Sequence, residues 1–393
     1  MNISQLFKEF FDSEKAGGFI LIGCALIAIV VSNMSLGGAI QEFLHSDLDL
    51  SVAGLRLDHS VEEWVNDGLM TIFFLLVGLE IERELYVGEL SGFRNAILPV
   101  LAAAGGMLFP ALIHYSLNAG TATVSGFGIP MATDIAFALG ILSLAGKHVP
   151  VSLKIFLTAL AIIDDLGAIT VIAIFYNKDF AASWFLASVG IFLVLYILGR
   201  MKMYSLWIYV IGGVIMWYCM MQSGVHATIA GVLLAFAVPF PKTEDRLNPS
   251  FRLQHLLHRP VAFFVLPVFA FVNTAIVLPA DLLDGLSSRN SIGIMAGLIG
   301  GKVAGVLLAC FIAIKTGIAT MPAELNWRYL FGVSLLAGIG FTMSIFITNL
   351  AFADQELIIN SKISILVASV IAAIAGLAVL MKKQRAAITK NNM

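Results

Sequence analysis

Charge is what this chain has least of. Asp, Glu, Lys and Arg make up 12% of its 393 residues, against 59% hydrophobic residues. A soluble globular chain carries roughly 25% charged residues. A large core cannot produce that deficit, because burying apolar side chains does not strip charge from the surface. With a mean hydropathy of +0.94, the chain reads as an all-α polytopic membrane protein. Cysteine is nearly absent: Cys24, Cys219 and Cys310 lie far apart in apolar runs, which excludes a disulfide framework or a cysteine metal cluster. The first fifteen residues mix Lys8 and Lys15 with Glu9, Asp12 and Glu14. They lack a basic start and a small-residue cleavage pattern, so no removable signal peptide is expected. The net charge of −2 says little about partners, because where the charges fall matters more than their sum; no nucleic-acid partner and no cofactor are expected.

Apolar runs of spanning length fall at 16–36, 61–86, 95–116, 121–145, 150–176, 182–199, 205–222, 224–239, 258–279, 291–315, 329–350 and 361–381, twelve in all. The eighth is short enough to be re-entrant, and losing it would invert every later span. Charge asymmetry supplies an independent check. With both termini cytoplasmic, only Arg56, Lys178, Arg289 and Lys362 of the 23 Lys and Arg fall outside, and Lys302 falls mid-span. The other 18 lie on the cytoplasmic side, a bias that the wrong parity would destroy. The first outer loop alternates apolar and polar residues from Asp49 to Asp58, as a small β-hairpin or an irregular loop would. An isolated hairpin is marginal in water, so a hairpin here would pair with a second copy in a homodimer. The stretch 239–260, with Gln254, His255 and His258, reads as a solvated cytoplasmic connector.

The fifth span carries Asp164 and Asp165 inside an apolar run. At ~1.5 Å per residue, they lie ~21 Å from its start, deep in a hydrocarbon core ~30 Å thick. Intramembrane acids are costly and mark function by default. Two adjacent carboxylates resist double ionisation, and their oxygens suit both protons and a hard monovalent cation such as Na⁺ or Li⁺. Neighbours on a helix diverge by ~100°, so one carboxylate faces a cavity more directly; Asp164 is the expected ligand and Asp165 its titrating partner.

Three further features share that depth. Gly126, Gly128 and Pro130 precede Thr133 and Asp134 in the fourth span, as in a helix interrupted at the midplane. Gly338 and Gly340 sit mid-way through the eleventh span, either as a second break or as close-packing positions. Lys302 is central in the tenth. Spans three to five and ten to twelve are seven apart, an odd number, so the second triplet runs upside down relative to the first. Paired interrupted spans in inverted halves point to a secondary-transporter site. This divides the chain into core halves at 95–176 and 291–381, interface helices at 1–94 and 182–290, and a cytoplasmic tail at 382–393. Where two broken helices cross, Asp134 can neutralise the half-helix N-termini and Lys302 the C-termini; alternatively, Lys302 pairs directly with Asp164 or Asp165. Asp67, one turn into the second span, reads as facing an interfacial cavity. Glu80, Glu82, Arg83 and Glu84 read as a solvated helix end or as an acidic funnel for cations. His226 stands at a helix start, as a structural or a titrating group.

Four stretches, Ala132–Ala138, Leu160–Ala168, Ser223–Thr228 and Gly338–Ile347, resemble the NhaA sodium/proton antiporters of bacteria. The similarity extends from about Lys15 to Leu380. NhaA is itself among the proteins from which the inverted-repeat architecture is known. The resemblance implies a twelve-span fold with crossed, interrupted helices, a homodimer helped by the outer hairpin, and residence in the bacterial inner membrane. It assigns Asp164 and Asp165 to cation and proton binding, with Thr133, Asp134 and Lys302 in support. It also implies electrogenic exchange, activated at alkaline pH, of Na⁺ or Li⁺ for H⁺ amid membrane lipids. The chain departs from the familiar pattern at Gln254, where Glu is usual, and at Glu82, where a basic residue is usual. Both bear on the proposed pH-response face, which includes Glu80, Glu84, His255 and His258. A sodium-coupled symporter of an organic anion would want more basic residues in its pocket than Lys302. An intramembrane aspartyl protease needs its two aspartates on facing helices. A metal enzyme would need a further ligand at i+3 or i+4 of the aspartates.

Overall fold

A computed structural model describes residues 3–51, 57–146, 149–177, 180–240 and 248–391. Among them, seven helices are long and apolar enough to cross a membrane: Val61–Tyr86, Asn95–Asn118, Val151–Phe175, Ala182–Arg200, Pro249–Thr274, Arg289–Lys315 and Gln355–Lys382. Three helix pairs reach that length only when joined across a bend. They are Ala16–Ser32 with Gly37–Leu44 at 113°, Ala122–Met131 with Ile135–Leu144 at 46°, and Trp327–Ala337 with Phe341–Ala351 at 44°. Leu206–Gln222 and Thr228–Ala237 are shorter apolar helices. Local signals start several of these. Ser288 caps the helix that carries Lys302 by accepting from the Ser291 N–H, and Asn326 caps Trp327–Ala337 by accepting from the Tyr329 N–H.

One compact unit comprises Met1–Phe19, Gly88–Ala168 and Pro279–Met393. It contains both 44–46° interruptions, and Phe341–Ala351 of the second packs against Ala122–Met131 of the first. Phe93–Asn118 lies along Lys302–Lys315 at a separation that only glycine permits. A Cβ on Gly105 would stand 2.7 Å from that of Ala309 and would collide with the Gly305 carbonyl.

The other unit comprises Ile20–Val87 and Ile169–Leu278. Met70–Tyr86 packs on Thr228–Ala237, and Leu79, Tyr209, Met216, Met220 and Ala235 centre its core. Strands Asp47–Asp49 and Asp58–Ser60 pair antiparallel, Asp47 opposite Ser60 and Asp49 opposite Asp58. The stretch expected to form the hairpin is therefore bounded by paired strands, while 52–56, with Arg56, lies outside the described residues, as do Lys147, Lys178, Lys242 and Arg246.

Two sequence expectations are corrected. The connector read over 239–260 is helical from Pro249 and continues as one apolar helix to Thr274. Asn248 caps it by accepting from the Phe251 N–H, and Pro249 occupies the first turn, where its missing N–H costs nothing. Glu80 and Glu82 do not form a solvated helix end; both side chains are buried, with the Ser250 hydroxyl donating to Glu82 Oε2 at 3.0 Å.

The glycine contact yields a stability prediction. Gly105→Leu overpacks the helix pair, so we expect it to lower the melting temperature in detergent by the equivalent of about 1–3 kcal/mol or more. Gly190→Leu, where a Cβ meets nothing within 4 Å, should leave melting unchanged.

Candidate functional site

Val151–Phe175, the aspartate helix, runs unbroken through Asp164 and Asp165. Asp164, Asp165, Thr133, Asp134 and Lys302 are all buried, the most accessible being Asp134 at 3%. A buried charge costs several kcal/mol unless it is paired and hydrogen-bonded. The unit meets that requirement at the two helix interruptions.

The first interruption is Ala132–Thr133–Asp134, between Met131 and Ile135. Gly128 and Pro130, expected at the break itself, lie instead in the half before it. That half is a ten-residue 3-10 helix, Ala122–Met131, much longer than such helices usually run. The second interruption spans Gly338–Gly340, between Ala337 and Phe341. A Cβ on Gly338 would collide with the Leu298 carbonyl, so close approach also demands glycine there.

The two interruptions are stitched together through backbone groups. The Asp134 N–H donates to Ile339 O at 2.7 Å, and the Ser344 hydroxyl donates to Ile129 O at 2.7 Å. The Asp134 carboxylate caps Ile135–Leu144 by accepting from the Phe137 N–H at 2.9 Å. Its other oxygen accepts from the Thr342 N–H at 3.0 Å and the Thr342 hydroxyl at 2.5 Å, at the first turn of Phe341–Ala351. One carboxylate thus faces two helix N-termini, where negative charge is favoured.

Lys302 serves one of the opposite poles. Its Nζ lies 2.7 Å from Asp164 Oδ2 and also donates to the carbonyl of Met131, the last residue of the tight half-helix. Dipole neutralisation and direct pairing, open alternatives from the sequence, are both present in one side chain.

Asp164 Oδ2 is doubly engaged, by Lys302 and by the Thr133 hydroxyl at 2.6 Å. Its Oδ1 is buried with no hydrogen-bond partner among the described residues. Thr133 Oγ is also 2.8 Å from Ala337 O, and a hydroxyl has only one proton to donate. When Asp164 is ionised, Thr133 can donate to it. When Asp164 is protonated, Asp164 can donate to Thr133, which then turns its proton to the Ala337 carbonyl. The arrangement accommodates either protonation state without moving a backbone atom.

Thr342 and Ser344, and the carbonyls of Met131 and Ala337, carry much of this geometry and were not anticipated as site groups. The available signal was a pair of hydroxyl residues within one turn of the Gly338–Gly340 break.

The remaining candidates belong to the second unit. Asp67 lies in a wide π turn, Trp64–Leu69, where its carbonyl accepts from the Thr71 hydroxyl at 2.5 Å. Glu84 pairs with Arg83 at 3.0 Å, and Gln254 is buried. His255 is exposed and His258 half-buried. His226 Nε2 donates to Tyr176 O at 2.7 Å.

The family model for Na⁺/H⁺ antiporter 1 matches residues 8–380. Curated proteins called Na(+)/H(+) antiporter NhaA are similar over nearly their whole length. That of Cytophaga hutchinsonii is 53% identical over 377 residues, covering 96% of this chain and 95% of the relative. That of Dechloromonas aromatica is 54% identical over 373 residues, 94% of each. That of Bordetella parapertussis is 46% identical over 382 residues, 96% of each.

The geometry around Asp134 predicts a structural penalty. Asp134→Ala orphans the N–H groups of Phe137 and Thr342 at two buried helix starts. At about 1–3 kcal/mol per orphaned buried group, thermal unfolding should begin several degrees below the parent, whereas Asp134→Asn, which keeps an acceptor, should lose less.

Proposed function

The chain belongs to the Na⁺/H⁺ antiporter 1 family and is a Na⁺/H⁺ antiporter, a multi-pass membrane transporter; we propose that exchange occurs at Asp164 and Asp165. The observation that carries this reading is the 2.7 Å contact between Lys302 Nζ and Asp164 Oδ2 in a site with no exposure of either side chain. A cation binding Asp164 must displace or share that ammonium, and a proton binding Asp164 removes the charge that holds it. Na⁺, Li⁺ and H⁺ then compete for the same oxygens, with Asp164 Oδ1 and the Thr133 hydroxyl as the first ligands offered. Competition at one site, opened alternately to each side, is sufficient for antiport. Asp165, or Lys302 itself, supplies the second proton-binding group that electrogenic exchange requires. Symport of an organic anion is not favoured, since the matching family and relatives are antiporters.

The surrounding architecture is read in the same way. Twelve spans, cytoplasmic termini and a bacterial inner membrane are supported by the seven long helices, three bent pairs and two short apolar helices, and by the one-sided distribution of Lys and Arg. Two inverted halves, 95–176 and 291–381, form the core transport domain, with 1–94 and 182–290 as interface helices and 382–393 as tail. What supports this is that one compact unit holds both interruptions. A homodimer would join through the strand pair Asp47–Asp49 and Asp58–Ser60, too small to be stable alone. Asp67, Glu80, Glu84, His226, His255 and His258 remain the proposed ion-funnel and pH-response groups, in an altered setting because Glu82 and Gln254 are both buried.

Reconstitution in liposomes with an internal pH dye tests the exchange site. Under an imposed pH gradient, external Na⁺ or Li⁺ should collapse the signal and K⁺ should not. Asp164→Asn should abolish the response; full exchange in that variant would overturn the assignment.

A further inference from the structure

The first turn of the helix carrying Lys302, Arg289–Lys315, is tied down by side chains to which the exchange reading gives no role. Asn290 Oδ1 lies 3.0 Å from His114 Nε2; an amide oxygen cannot donate, so the imidazole carries its proton on Nε2. Asn290 Nδ2 donates to the Ser361 hydroxyl at 2.8 Å. One residue earlier, the Arg289 carbonyl accepts from Asn118 Nδ2 at 3.3 Å. His114, Asn118, Asn290 and Ser361 are all buried. This turn is therefore fastened to Phe93–Asn118 on one side and to Gln355–Asn391 on the other.

Between that anchor and Lys302 the helix widens. Gly297–Gly301 form a π turn, closed by the Lys302 N–H donating to the Gly297 carbonyl five residues back. Such a turn holds one residue more than an α turn, is rare, and often occurs at functional sites. Here it is wedged against both interrupted helices. A Cβ on Gly297 would stand 2.7 Å from Pro130 Cβ, and one on Gly338 would collide with the Leu298 carbonyl. On the far side of the turn, Lys302 reaches Asp164 and the Met131 carbonyl.

One residue of register equals about 100° of rotation on a helix. While the first turn is anchored, the surplus residue stays in Gly297–Gly301 and Lys302 faces Asp164. With the anchor loosened, the first turn can rotate, the surplus can run out of the wide turn, and Lys302 swings away from the carboxylate.

We propose that His114 and Asn290 are positioning residues for exchange, holding the lysine helix in the register that presents Lys302 to Asp164. This rests on the reading of Asp164 as the cation site and Lys302 as the competitor that Na⁺ must displace. Loosening the anchor weakens the competitor, so Na⁺ should bind more tightly, the opposite of what ordinary structural damage produces.

Exchange in proteoliposomes, at one fixed pH, tests the proposal. Asn290→Leu and His114→Phe should lower the apparent KM for Na⁺ about three- to tenfold, the range that one buried hydrogen bond commands. His114→Gln keeps an N–H for Asn290 and should restore the parental KM. Ser361→Ala, a change of small volume, should shift KM in the same direction by less, and covers the case in which a larger substitution fails to fold. An unchanged or raised KM in whichever of Asn290→Leu, His114→Phe and Ser361→Ala is recovered folded overturns the proposal. Asp164→Asn in the same series separates the two readings. If it still exchanges, the site assignment has failed; if it is inactive while Asn290→Leu keeps the parental KM, only the positioning role has failed.

Discussion

An ion stripped of water must find its counter-charge within hydrogen-bond reach, and the core unit is arranged around that constraint. Lys302 and Asp164 meet at 2.7 Å with no exposure of either side chain. Neither could stay charged alone at that burial. Yet, at the exchange site proposed here, the pair cannot be made permanent, because a cation or a proton must take the place of the ammonium. The structure meets both demands by giving Lys302 a second partner, the Met131 carbonyl, and Asp164 a second donor, Thr133. Each charge keeps a hydrogen bond when the other is taken. The interrupted helices are what make these secondary partners available, since an unbroken helix would consume its carbonyls and N–H groups internally.

Much of this was legible in the sequence, and the reason is economy of charge. In a chain with so few ionisable residues, each one inside an apolar run is conspicuous. Asp134, Asp164, Asp165 and Lys302 could therefore be singled out by depth alone, and the glycines of 338–340 marked a real interruption. What could not be read was how backbone groups would be used. Pro130 suggested a break at its own position; the chain instead tightens through it into a 3-10 helix and breaks after Met131. Hydroxyl residues hid for the opposite reason to the acids. Thr342 and Ser344 are ordinary in apolar helices, and only the approach of the other interrupted helix turns them into site groups. The helix-end acids were misread because glutamates at such positions are usually solvated, whereas Glu82 is covered and accepts from Ser250. The helix beginning at Pro249 was missed because His255, His258 and Arg259 gave it the composition of a loop.

Three departures from regular helix fall at candidate site positions, while a π turn at Val261–Val265 falls at none. The tight helix ends at the carbonyl that Lys302 uses, one wide turn immediately precedes Lys302, and another contains Asp67. At the three candidate positions, the irregular stretch directs a backbone group or a side chain where a uniform helix could not.

The crossing of the two interrupted helices also has a hereditary consequence. A point mutation can delete Lys302 or Asp134, but no substitution deletes the carbonyls of Ile129, Met131, Ala337 and Ile339 that receive their neighbours there. The part of the electrostatic field that these carbonyls supply is written in peptide bonds and is thereby shielded from single-residue change. Divergence among descendants can then act on the hydroxyls of Thr133, Thr342 and Ser344, while the dipoles beneath persist as an inherited constant.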